Sequence, residues 1–155
     1  MFIFIFTLCV GLSLSPSAHA VLRLDFIRHG SLDFGDMRIG EIKSSIPSDG
    51  VVLRCETDGT ANWTLSIKMD EPLRNQADIT SIIDKQNVRW RGLSSTTAAN
   101  TSLARSYSDL NWESTVYKGI AGETSVDVTM EFQLAVPSIA RQGLYSGTIT
   151  FTLTE

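Results

Sequence analysis

Few side chains in this 155-residue sequence are of a type that does chemistry, and their spacing is poor for it. After Ala20 there is one histidine, His29, with Ser31, Asp25 and Asp33 close by. A Ser-His-Asp relay is defined by geometry, and no strand–turn–helix nucleophile elbow accompanies these residues. His29 therefore reads as a polar turn residue. Cys55 lies in V-V-L-R-C-E, in step with Val51 and Leu53, so it reads as a small buried apolar side chain. It is also unpaired once Cys9 is set aside, which leaves a disulfide between chains as the sharper alternative. One His and one Cys are too few for a zinc site. Asp33, Asp36, Asp58, Asp70 and Glu71 miss the spacing of a calcium loop, and Asp-Gly pairs serve turns. No glycine-rich loop leads into a helix to cradle phosphate. The expectation is a protein that is not an enzyme and holds no cofactor and no metal.

Charge excludes further classes. The formal net charge is −4, and every Lys, Arg, Asp and Glu lies after Ala20. A mildly acidic chain without a basic cluster is a poor partner for nucleic acid or an anionic membrane. Arg89 and Arg91 flank Trp90, as solvated charges on the outer face of a strand would. Asn62-Trp-Thr64 and Asn100-Thr-Ser102 fit the short glycosylation pattern, which matters only where secreted proteins are glycosylated.

Met1 to Ala20 carries an apolar core, F-I-F-I-F-T-L-C-V-G-L, and then small residues ending Ala18-His19-Ala20. This pattern predicts a secretory signal peptide (residues 1–20) cut before Val21, with no stable membrane span afterwards. The expected destination is secreted: periplasm, cell surface or extracellular filament. Residues 21–155 are the right size for a single domain with its own core, and no disulfide can staple it internally.

The elements that position these side chains are strands. Val126, Val128, Met130, Phe132, Leu134 and Val136 alternate with Asp127, Thr129, Glu131, Gln133 and Ala135, the period of a strand with one dry face. Tyr145, Ile149, Phe151 and Leu153 repeat the pattern, with Gly147 in the remaining inward place. The two runs are expected to pair as one antiparallel unit. The alternation predicts that Phe132→Asp unfolds the domain and that Glu131→Lys is nearly silent. Val51–Glu56 and Ala61–Met69, joined by Thr57-Asp-Gly-Thr60, are expected to form a hairpin. Leu22, Leu24 and Phe26 mark a strand at the new N-terminus, and Val88–Leu93 another. Trp63, Trp90 and Trp112 are assigned inward. Asp70–Lys85 fits either a helical turn or a strand, and Ser94–Asp109 is a long loop rich in Ser, Thr, Ala and Asn. The fold class expected is all-β, an immunoglobulin-like β-sandwich of about seven to nine mostly antiparallel strands, with a closed barrel as the alternative.

The run G-L-Y-S-G-T-I-T-F-T-L-T from Gly143 resembles the closing strand of secreted bacterial surface proteins. It is similar to the ends of pilin-like fimbrial subunits, of spore-coat-U-like pilins and of WxL-type wall domains. Leu32-Asp-Phe-Gly-Asp36 with Gly40 resembles the opening of bacterial Ig-like modules. The chain departs from the pattern in lacking an internal disulfide and a clear WxL signature.

This resemblance implies a structural subunit of a surface filament or coat, self-associating or joined to other fimbrial subunits. Leu22, Leu24 and Phe26 are then the candidate donor strand, completing the sheet of a neighbour. The alternative is a secreted or cell-surface adhesion or ligand-binding module using the Ser94–Asp109 loop.

Overall fold

Alternating sequence becomes strand along most of the chain. The computed structural model describes residues 2–12, 21–28, 30–45, 50–96 and 103–155, the first of these as backbone only. In chain order the strands are β1 (Phe2–Leu12), β2 (Arg23–Arg28), β3 (Ser31–Asp33), β4 (Ile42–Ser44), β5 (Val51–Glu56), β6 (Trp63–Met69) and β7 (Leu73–Asn75). They continue with β8 (Ile82–Ile83), β9 (Val88–Ser95), β10 (Ser108–Asp109), β11 (Ser114–Gly119), β12 (Ser125–Ala135) and β13 (Gly143–Thr154). One short 3-10 turn, Lys85–Asn87, precedes β9. The segments outnumber the seven to nine expected because β3, β4, β7, β8 and β10 are pieces of two or three residues.

Two sheets result. One runs β11-β6-β13-β1-β3, with β7 also on β13 and β8 on β7; the other runs β10-β9-β12-β5-β2, with β4 also on β12. All pairings are antiparallel except β1 with β13. The all-β sandwich predicted from alternation is the observed architecture. Its core includes Trp63, Trp90, Phe34, Phe132, Tyr145 and Phe151, all essentially without exposure. Phe34 enters it from the turn after β3, where Gly35 takes φ 60° and donates its N–H to Asp33 Oδ1 at 2.7 Å.

Several local expectations gave way to the cross-sheet arrangement. β12 and β13 are not paired. β12 lies between β9 on one side and β5 with β4 on the other, while β13 lies in the opposite sheet. Both strands have one apolar face, and placing them in facing sheets buries both faces in one core. The chain between them crosses over, held by Gly40 N–H to Val136 O (2.8 Å) and Val136 N–H to Glu41 O (2.9 Å). The hairpin expected over Val51–Met69 is likewise a crossing. β5 pairs with β12 and β2, β6 with β13 and β11. The connecting Thr57 and Gly59 bond to Thr124 and Gly122 instead of closing a two-residue turn.

Trp63 and Trp90 are buried as expected, but Trp112 is 76% exposed. It falls before β11 begins, and Leu110 takes the inward place. The ambiguous stretch after Asp70 forms β7 and β8.

Candidate functional site

Among the described residues, those with chemical potential do not converge. His29 lies outside the described residues. Asp25 pairs with Arg23 at 2.6 Å on the surface of β2, and Asp33 is occupied by the Gly35 turn. Asp58 Oδ1 accepts from Thr60 N–H and Oγ1 at 2.9 and 2.7 Å, which holds its carboxyl below the usual range. Asp70 bridges to Lys68 and Glu71 to Arg74. No group of three or more potential metal ligands occurs among the described residues. Cys55 is fully buried in β5, and burial pushes its thiol up to about 12, so it is inert. Asn62 Oδ1 accepts the Ala121 N–H, a structural use.

Two polar clusters do form, on the outer face of the β12 sheet. Arg54 donates from Nε and Nη2 to Asp127 at 2.7 and 2.8 Å. This fork holds the Asp127 carboxyl below its ordinary value. Four residues along, Glu131 accepts from Arg91 (2.7 Å) and Ser44 (3.1 Å) and is also bonded to the Tyr107 hydroxyl. Burial pushes the Glu131 carboxyl up, but these bonds prevail and it lies below its usual range. The Arg91 guanidinium sits over the Tyr107 ring, 4.7 Å from its centroid. Residues 103–110 are therefore docked rather than free. Leu103 and Leu110 are buried, Gly92 donates its N–H to Ala104 O, Ala104 donates its N–H to Val116 O, and Leu110 donates its N–H to Val88 O. Glu131 is thus not the solvated position that alternation predicts, because Tyr107 arrives over it from a distant part of the chain.

The remaining site is made by backbone. Tyr145, at the start of β13, donates its hydroxyl to Arg141 O at 2.8 Å, four residues upstream, and shares a 2.6 Å bond with Ser81 Oγ. A tyrosine bonded back across the corner before its own strand is the mark of strand F in immunoglobulin-like sandwiches. In such a sandwich strand F has strands on both sides, with strand G as the outer neighbour. Here β13 has β6 and β7 on one side. The other side is held by β1, from the opposite end of the sequence, in eleven register pairs from Phe2↔Gly143 to Leu12↔Leu153. Beyond β1, β3 joins the sheet, among the described strands, through β1 alone, at Ile5↔Asp33, Phe6↔Leu32 and Thr7↔Ser31.

The sequence-predicted donor residues sit in the other sheet. Leu24 is buried and in register with Cys55 of β5, and Phe26 with Leu53. Leu22 and Phe26 are partly buried against the core, and Phe26 meets Phe151 edge to face at 5.9 Å. Sequence reasoning did not find the position between β13 and β3. Its signal was the Gly143-x-Tyr145 step, which sets the bonded corner from which β13 starts.

Comparison with known proteins adds little beyond shape. No family model matches the chain, and no curated protein matches it. Eight solved chains match in structure. One is a family 123 glycoside hydrolase from Clostridium perfringens, at 17% identity and a TM-score of 0.45, over 76% of this chain and 19% of that one. So low a score and so small a share of that enzyme carry no argument about activity.

Proposed function

We propose that the chain is a non-enzymatic structural subunit of a bacterial surface filament or coat, joined to its neighbours by strand addition. The observation that supports this reading is the sheet order β13-β1-β3. β1 lies within the segment whose composition predicts a cleaved leader. Cutting before Val21 would remove a strand from the interior of a sheet, leaving β13 with one unpaired side and β3 with no partner strand among those described. Unpaired backbone beside an apolar core is a template for another strand. Exchange of Leu22, Leu24 and Phe26 between copies is the homotypic form of this reading. The pilin-like resemblance of Gly143–Thr154 points the same way.

The test is the state of the mature protein on the cells that make it. Surface extracts are run on denaturing gels with and without boiling, and sized by light scattering coupled to gel filtration. Ladders or high-mass complexes that collapse on boiling are expected. A free monomer in surface extract and culture fluid alike would sink the reading.

A further inference from the structure

Exposed apolar side chains gather at one end of the sandwich, where β12 finishes and β13 begins. Ile39, Ile42, Ile79, Ile82 and Ile139 all stand exposed there. Bonds between their neighbours bring them together. Gly40 and Glu41 bond Val136, and Ile42 is in register with Ala135. Ile139 lies on the turn that follows, closed by Ala140 N–H to Pro137 O at 3.1 Å. Arg141 then bonds Asp78 and Ser81, which bracket Ile79, and Ile82 comes next in β8. Val136 and Ala140 are buried on either side of the turn. Ile139 is therefore held out at 82% exposure, the highest of any large apolar side chain among the described residues. Beside it lies a recess of about 730 Å³ lined by residues 36–41, with buried Met37 in its wall. A knob and a hole thus share one surface, and apolar groups collected in this way mark a contact.

Charge says what fits this end. Within two positions of the five isoleucines stand Arg38, Lys43 and Arg141 against Glu41, Asp78 and Asp84, which cancel, while the whole chain carries −4. Two copies meeting here bring no net charge together, whereas the rest of the surface holds the negative excess that keeps copies apart. An anionic membrane finds no basic excess to bind. We propose that this end docks a second copy of the chain across a two-fold axis, each Ile139 entering the recess beside Gly40 of the other. Such a contact is isologous and closes at two copies. Few side chains build it, so it is reversible. It goes beyond the subunit reading and does not rest on it: strand addition acts along the side of β13, and this contact acts at the end of the sandwich.

The experiment uses the full chain, made without export so that residues 1–20 remain. β1 then holds the second side of β13, and no association owes anything to strand addition. Sedimentation equilibrium from about 1 μM to 1 mM spans the range of reversible contacts. A monomer–dimer equilibrium is expected, with no larger species. Ile139→Asp sets a charge against Asp36 and Glu41 of the other copy. It should raise the dissociation constant at least about tenfold, roughly 1.4 kcal/mol. Ile120→Asp adds the same charge at the opposite end, in the turn before β12, on a residue 58% exposed. It should leave the constant unchanged, and thermal melts should show both variants folded. A photo-crosslinker in place of Ile139, in a mixture of isotope-labelled and unlabelled chains, should join residues 36–41 of the other copy. A monomer throughout, ladders beyond the dimer, equal weakening by Ile120→Asp, or crosslinks to another region would each overturn the inference. So would a monomer that instead binds phosphatidylcholine or phosphatidylglycerol vesicles through Ile139. None of these outcomes touches the subunit reading.

Discussion

β12 and β13 are the two long strands of the molecule, with the same alternation and the same buried face, yet they are closed in different ways. β12 is flanked on both sides by strands that follow Ala20: β9 along one edge, β5 and β4 along the other. Its outward residues are tied down as well, Asp127 by Arg54 and Glu131 by Arg91, Ser44 and Tyr107. β13 has such flanks on one side only, and its outward face is mostly threonine. One long strand thus has both flanks from the chain after Ala20, while the other has β1 along its second side. Side-chain pattern decides which face a strand buries, and only the partner decides whether its backbone is satisfied.

Substitutions at matched depth separate the two strands. The largest effect is expected from Phe132→Asp, which places an unpaired charge at a site with no exposure. Loss of about 4 kcal/mol or more is expected, enough to unfold the domain, read as loss of the cooperative melt. Tyr145→Phe in β13 keeps the ring but leaves Ser81 Oγ and the Arg141 backbone without their shared partner. A loss of about 1–3 kcal/mol in urea melts is expected. Extra hydrogen exchange should be confined to the start of β13 and to β8. If exchange rose evenly across both sheets, the corner would not be a local clamp.

Glu131→Lys, at an outward place of β12, comes next. Pattern alone predicts no effect there. The structure predicts a loss of about 1 kcal/mol, because a lysine meets Arg91 where a carboxylate held it. Tyr107→Phe in the same background should then cost less than it does alone, since the shared bond is already gone. Additive losses would mean that Tyr107 and Glu131 do not act together.

This last pair marks the limit of what the sequence discloses. Period two is a local property, so the inward residues of β5, β6, β9, β12 and β13 were readable one strand at a time. The all-β sandwich follows from having so many one-faced strands. Which strand lies beside which is set by contacts distant in sequence, and both local pairings expected, β5 with β6 and β12 with β13, proved to be crossings between sheets. Trp112 was assigned inward by extending a pattern past the true start of β11. The candidate position beside β13 was illegible for a related reason. Phe2–Leu12 reads as a leader by composition, and nothing local states that such a segment fits between β13 and β3.

The smallest effect expected is in acid, and it tests the closed strand against its own ion pair. The hydrogen bond from Arg54 depresses the Asp127 carboxyl in the folded chain. In the unfolded chain that carboxyl titrates near the ordinary value of about 4. Its contribution is therefore fully present above that value and is lost as the pH falls through the depressed folded one. Wild-type stability should be level between about pH 7 and 5 as far as this group is concerned, then decline below about pH 4. Asp127→Asn removes the titrating group. It should lower stability at neutral pH and flatten the acid decline, so that the wild-type and variant curves converge toward low pH. Half-exposed Arg54 keeps the effect small, because solvent screens the pair. Urea melts across this range decide the matter. Parallel curves would mean that the Arg54–Asp127 fork does not bear on folding, and that β12 is held by its flanking strands β9, β5 and β4 and by its buried face without it.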